Sequence, residues 1–275
     1  MNAADRHLIA TDLDDTILSQ LYSLSAKSTS KLMALKEAGH IVMIATARPT
    51  CLALPYYRIM GLDSLLSTVN GNYLYHPDDP KIPMIRHELN EGQMQWILDA
   101  MKNAGINEGY LHIDDLIYLH GQEPDHPYFH LMFGQSELRV VDQLPLLPCG
   151  RFFAFSPTIA QAQEAEAQLA SCQGINVITR PKEDGTAHMV ITPVTADKWY
   201  TVQEAARYYG IDEKNIWCFG DEENDRLMVM NAAHGHAMVN GNPKLVADMR
   251  ALGKGVTRLP CSEDGVGDIL DQLLK

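Results

Sequence analysis

Two acidic clusters, far apart in the chain, carry the residue types best suited to chemistry. The first, in HLIATDLDDTIL at residues 7–18, places Asp12, Asp14 and Asp15 within four residues. The second, in GDEENDR, groups Asp221, Glu222, Glu223, Asn224 and Asp225. In extended backbone Asp12 and Asp14 stand two apart and share a side. If a helix begins near Asp221, then Asp221, Asn224 and Asp225 fall at i, i+3 and i+4 on one face. Gathered carboxylates repel, so one takes up a proton or a cation binds. Oxygen donors with neither His nor Cys beside them in sequence favour a hard divalent cation, Mg2+ first. Asp15 reads as a turn residue.

Two further positions fit phosphate chemistry. Thr46, in IATAR, follows an apolar run. Its hydroxyl and the backbone N–H groups beside it, at Ala47, could hold a phosphoryl oxygen, or the hydroxyl could cap the next segment. Lys198 opens an amphipathic stretch; taken by itself it reads as a surface lysine.

The elements that must position these residues follow from pattern. Both acidic clusters directly follow short apolar runs, residues 8–11 and 216–220, which read as buried strands. HIVMIATA (40–47) and LLSTV (65–69) are further strands, and the stretches between them have helical spacing: 25–38, capped at Ser25 and stopped at Gly39, then 51–60. Strands alternating with helices predict a parallel sheet covered on both faces. In such a sheet the carboxyl ends of the strands form the ligand crevice, so the two clusters can meet. From about residue 85 the rhythm changes: a helix over 91–103, a hairpin over 109–121 turning at Asp114-Asp115, a strand at 151–157, a helix over 160–171 and two more strands. This predicts an antiparallel sheet with helices on one face. Near 190 the first rhythm returns. The expected fold is α/β: a Rossmann-like, doubly wound parallel-sheet core split into 1–84 and 190–275, with an inserted α+β domain over 85–189.

Composition narrows the function. Hydrophobic residues make up 46% and charged residues 21%, enough for a sizeable core. A net charge of -13 repels a phosphate backbone, which argues against a nucleic-acid partner. Five scattered cysteines without a CxxC pair, no secretory leader pattern and no run long enough to span a bilayer predict a cytoplasmic protein with no membrane partner. The sequence says nothing of oligomeric state.

Taken in order, DLDDT, ATAR, Lys198 and GDEEND resemble the four motifs of the haloacid dehalogenase-like superfamily of phosphohydrolases. TVNGN, HAMVNGNPKLVADM and SEDGVGDIL are similar to segments of its Cof-type subfamily, which carries a large α/β cap between the second and third motifs. The resemblance implies that Asp12 is the nucleophile that forms an aspartyl-phosphate, and that Asp14 is the acid and base. It implies that Asp12, the Asp14 backbone carbonyl and Asp221 bind Mg2+, supported by Asn224 and Asp225. Thr46, Ala47 and Lys198 would hold phosphoryl oxygens, with Asn240 near the phosphate end. The chain departs from the family pattern at Asp15, where glycine is usual, at Ala47 within the usual T-G-R, and at Val239, where glycine or a small polar residue is common.

The implied activity is a Mg2+-dependent phosphomonoesterase of small phosphorylated metabolites, sugar phosphates first. The alternatives are a phosphotransferase or phosphomutase with the same nucleophile, and a phosphatase of phosphorylated cofactors of flavin or pyridoxal type. A phospho-receiver also combines acids, Thr and Lys, but is far shorter. His112, His120, His126 and His130 permit a zinc site or a mixture of surface and substrate-facing histidines. Tyr110, Tyr118 and Tyr128 could line a pocket or pack a core.

Overall fold

The computed structural model describes residues 6–19, 22–122, 127–271 and 273, with Pro127 and Tyr128 described in their backbone alone. The chain opens with β1 (Leu8–Thr11), α1 (Ala26–Glu37), β2 (Ile41–Ile44), α2 (Thr50–Ile59), β3 (Leu66–Thr68), β4 (Tyr73–Tyr75) and β5 (Ile85–Arg86). It continues through α3 (Glu91–Asn103), β6 (Glu108–Ile113), β7 (Leu116–His120), α4 (Pro127–Gln135), β8 (Glu137–Val140), β9 (Arg151–Ser156), α5 (Ile159–Leu169), β10 (Ile175–Pro181) and β11 (Ala187–Pro193). It closes with α6 (Lys198–Tyr209), β12 (Ile216–Gly220), α7 (Arg226–Asn231), β13 (His234–Ala237), α8 (Pro243–Ala251), β14 (Gly255–Val256) and α9 (Gly265–Leu270).

These elements form two units. The first comprises residues 1–48, 53–85 and 197–275; the second comprises 49–52 and 86–196. Contacts thus return to the first unit at Asp197, later than the rhythm of the sequence places the change, because β11 runs to Pro193 as a strand of the second sheet.

The first unit is built on a parallel sheet of order β14-β13-β12-β1-β2. Strands β1 and β2 are buried at every residue, as expected where helices cover both faces. Alternate residues divide between two cores. Ile9, Val42, Ile44 and Phe219 pack with Leu32 and Leu35 of α1, Tyr57 of α2 and Val266 of α9. Leu8, Ala10, Met43 and Cys218 pack with Trp199 and Val202 of α6 and Met228 of α7. Ser25 stands at the N-cap of α1, but its hydroxyl makes no cap bond. It donates to Asp264 Oδ1 at 2.5 Å, and Asp264 instead accepts from the backbone N–H groups of Lys27 and Ser28. The helix is therefore capped by a residue remote in sequence.

The second unit carries a six-stranded sheet of order β10-β11-β9-β6-β7-β8. Its pairs are antiparallel except β7 with β8. The hairpin turns at Asp114, which adopts φ 51°. Leu111, Phe152, Ala154 and Met189 face α3 and α5. The opposite face is also covered: Met132 and Phe133 of α4 pack on Tyr110, Ile117 and Leu119. Helices on one face only was the expectation, and α4 corrects it; PYFHLMFGQ is apolar almost throughout and offers no polar face by which a pattern would mark it as a helix.

Candidate active site

Strand order brings the two acidic clusters together. β1 and β12 are neighbours in register Thr11↔Phe219, so the residues that leave their carboxyl ends, Asp12 and Asp221, emerge side by side. The N–H of Asp12 donates to the Phe219 carbonyl at 3.0 Å, which carries the pairing one residue past the strand. Oxygens of Asp12, Asp221 and Asp225 all lie within 4.8 Å of one another, and all three residues are buried.

Asp225 is held rigidly. Its Oδ2 accepts from the backbone N–H groups of Asp221 (3.0 Å) and Glu222 (3.1 Å), closing the turn between β12 and α7. Gly220 makes room for it: a Cβ there would fall 2.4 Å from the Asp225 Cβ. Thr16 Oγ1 donates to Asp221 Oδ1 at 3.3 Å.

Lys198 is the counter-charge. It is fully buried rather than on the surface, with Nζ 2.7 Å from Asp225 Oδ1 and 2.9 Å from Asp12 Oδ1. Asp197 caps α6 by accepting from Trp199 N at 2.7 Å, and so fixes the helix start that carries the lysine. Asn70-Gly71 sets the backbone opposite. Gly71 has φ +87°, and a Cβ there would lie 2.4 Å from the Asp197 carbonyl oxygen, so only glycine allows this approach.

Three buried carboxylates face one ammonium. Burial, against the pull of Lys198, raises Asp12 to about 7. Burial, then Asp12 and Asp225, raises Asp221 to about 9. Burial alone would lower Lys198, but Asp12 and Asp225 more than offset it and hold the ammonium above its ordinary value. Asp12 Oδ1 has no hydrogen-bond partner among the described residues, its contact with Lys198 being an ion pair only. An orphaned buried oxygen among all-oxygen donors with excess negative charge fits a divalent cation. Among the described residues no other group of His, Cys, Asp or Glu gathers in this way.

The remaining expected residues lie around this centre, with one correction. The Asp14 carboxylate meets Arg48, whose Nε donates to Oδ2 at 2.8 Å, and Asp14 forms an isolated bridge with Leu18 where the chain turns at Asp15 (φ 49°). Asn224 is not on a helix face with Asp221 and Asp225; the turn is a 3-10 segment, and the Asn224 amide donates to Asn70 Oδ1 at 3.0 Å. Thr46 is buried, its Oγ1 accepting from Arg48 N at 3.2 Å, and Ala47 beside it is half-buried. Asn240 ties two loops, donating to the Asp15 carbonyl at 2.9 Å and accepting from Cys261 N at 2.8 Å. Sequence reasoning passed over Arg48 and Thr16; both lie inside the quoted motifs, but their partners are long-range.

In the second unit, His112 and His120 lie on paired strands but are not opposite each other, since His112 faces Ile117 and His120 faces Gly109. His130 is on α4 and exposed, and His126 lies outside the described residues. Tyr110 is core, stacked on Phe153 at 4.5 Å. Tyr118 packs against the opposite face and accepts from Arg139 Nη1 at 2.9 Å. The Tyr128 side chain lies outside the described residues.

Residues 9–270 match the haloacid dehalogenase-like hydrolases, and the chain belongs to that family. Within it the protein is a phosphatase, and the Cof-type resemblance of its motifs holds. The chain is 26% identical over 238 residues to 5-amino-6-(5-phospho-D-ribitylamino)uracil phosphatase YitU of Bacillus subtilis, covering 86% of this chain and 87% of that one. It is 24% identical over 252 residues to the HMP-PP phosphatase of Escherichia coli, covering 88% and 87%. Its fold is similar to that of a subclass IIB sugar phosphatase, with a TM-score of 0.74 at 20% identity over 97% of this chain and 98% of the other.

Proposed function

We propose that this protein hydrolyses phosphate monoesters of small metabolites, sugar phosphates first, with Mg2+ and through a phosphorylated Asp12. The observation that carries this reading is the buried set Asp12, Asp221 and Asp225 around Lys198. Asp12 attacks phosphorus, and Asp14 gives its proton to the leaving oxygen. Asp14 then takes a proton from the water that cleaves the aspartyl-phosphate. Lys198, Thr46 and the backbone at Ala47 steady the phosphoryl oxygens. Asp12, Asp221 and the Asp14 backbone carbonyl hold the cation, with Asn224 and Asp225 keeping the turn in place. Mg2+, when bound, supplies positive charge where negative charge gathers in the transition state. Asn240 fixes the loop that follows Asp14.

In this reading the second unit, 49–52 and 86–196, is the cap that selects the leaving group. A cytoplasmic setting without nucleic-acid or membrane partners belongs to it too, supported by free cysteines and the charge of -13. Among the described residues no helix is long and apolar enough to cross a membrane. A second reading, a phosphatase of phosphorylated cofactors of flavin or pyridoxal type, is supported by the name of the Bacillus subtilis relative, whose substrate is a phosphorylated ribitylaminouracil.

The test is a panel of sugar phosphates, phosphorylated heterocycles and p-nitrophenyl phosphate, read by released phosphate in the presence of Mg2+. Preferred release from sugar phosphates is expected. Preference for the heterocycles would favour the second reading, and no release from any member would overturn both.

A further inference from the structure

Arg48 closes the ATAR stretch, and the chemistry above leaves it without a role. Its side chain is 4% exposed yet permanently charged. Along one edge the guanidinium meets the Asp14 carboxylate: Nε donates to Oδ2 at 2.8 Å and Nη2 donates to Oδ1 at 2.5 Å. Two parallel bonds of this kind fix the plane of a carboxylate as well as its distance. The arginine is itself held in place. Its Cζ lies 5.3 Å from the ring centres of both Tyr22 and Tyr56, and Tyr56 Oη donates to the Tyr22 carbonyl at 3.4 Å. Tyr22 belongs to the loop that starts at Asp14, closed by the bridges Asp14↔Leu18 and Leu18↔Leu24. One buried arginine therefore grips both Asp14 and the far part of the loop that carries it. Asp14 itself is about half exposed, so its carboxylate would otherwise be free to change rotamer.

We infer that Arg48 is the positioning residue for Asp14, holding both carboxylate oxygens from the buried side so that their open side meets the reacting oxygens. This rests on the proposed hydrolytic function. In the first step an Asp12 oxygen bonds to phosphorus, the ester P–O bond breaks, and its electron pair and the proton of Asp14 go to the leaving oxygen. In the second a water oxygen bonds to phosphorus, its proton goes to Asp14, and the P–O bond to Asp12 breaks with the electron pair returning to that carboxylate. Both proton transfers require Asp14 at a fixed reach.

The test compares Arg48→Met, Arg48→Lys, Asp14→Asn and the double variant Asp14→Asn/Arg48→Met, all with Mg2+. One probe is the alkyl phosphate that the wild type turns over fastest in the panel above. The other is the first-turnover burst from p-nitrophenyl phosphate, whose nitrophenolate departs without a proton. Arg48→Met is expected to slow the alkyl ester about 100-fold at little change in KM, while the nitrophenolate burst stays within a few-fold of wild type. Arg48→Lys, with charge but no fork, should fall between wild type and Arg48→Met, and it carries the test if Arg48→Met does not fold. The double variant should be no slower than Asp14→Asn, since both act through one group. Equal slowing of both probes, a rise in KM alone, additive losses in the double variant, or full activity in Arg48→Lys would each overturn the inference. An inactive wild type would instead sink the proposed function.

Discussion

Each of the two units of this chain buries a cation, and they do so under opposite conditions. Lys198 stands among Asp12, Asp221 and Asp225, where acids outnumber the ammonium. Arg151 on β9 is also buried, but its neighbours are neutral: Nε donates to His112 Nδ1 at 2.7 Å, Nη2 faces the Met132 sulfur at 3.9 Å, and Cζ lies 5.3 Å from the Phe153 ring. Among the described residues no carboxylate pairs with it. The difference follows from topology. Parallel strands end together and deliver successive loops to one place, so like charges accumulate there. An antiparallel sheet covered on both faces scatters its loops and leaves buried polar groups to settle pairwise within an aromatic layer.

The contrast breaks first at Asp12. Asp12→Asn keeps the shape and loses the nucleophile, so phosphate release should fall by roughly 10³-fold or more with circular dichroism unchanged; wild-type-like release would remove Asp12 from the chemistry. Next comes one substitution made in both units. Lys198→Met leaves two buried carboxylates without their partner and should cost about 3 kcal/mol in denaturant unfolding. Arg151→Met removes a cation that, among the described residues, no acid depends on, and should cost about 1 kcal/mol, the loss of the bond to His112. Equal costs would erase the distinction.

A metal sharpens it further. Mg2+ at about 100 times its dissociation constant should stabilise the folded protein by about 2.7 kcal/mol in thermal or denaturant unfolding. The gain should vanish in Asp221→Asn and persist in Arg151→Met. Excess chelator should abolish phosphate release, and full activity in its presence would exclude the cation from the reaction. The last effect concerns acid. Burial, then the Arg151 charge, holds His112 well below the ordinary 6.5. The unfolded chain therefore binds a proton that the folded one refuses. The stability from neutral His112 is complete above pH 6.5 and is lost below it, at up to about 1.4 kcal/mol per pH unit. His112→Gln should flatten that acid limb; an unchanged limb would show that other groups cause it.

Much of this was legible in the chain. Apolar runs that end in acids marked β1 and β12 and the crevice beyond them, because strands buried on both faces have no polar side to alternate. Local pattern failed at α4, whose even apolarity hid a helix. It also failed at Ser25, since the cap on α1 is Asp264. Sequence alone determined which residues could ionise, which stretches had to be buried and in what order the motifs came. Tertiary structure alone decided that Lys198 would sit buried between Asp12 and Asp225, that Arg48 would take Asp14, and that Asn224 would turn to Asn70. The reason is that an ion pair is set by distance in space, and spacing along a chain fixes that distance only within a single turn or strand.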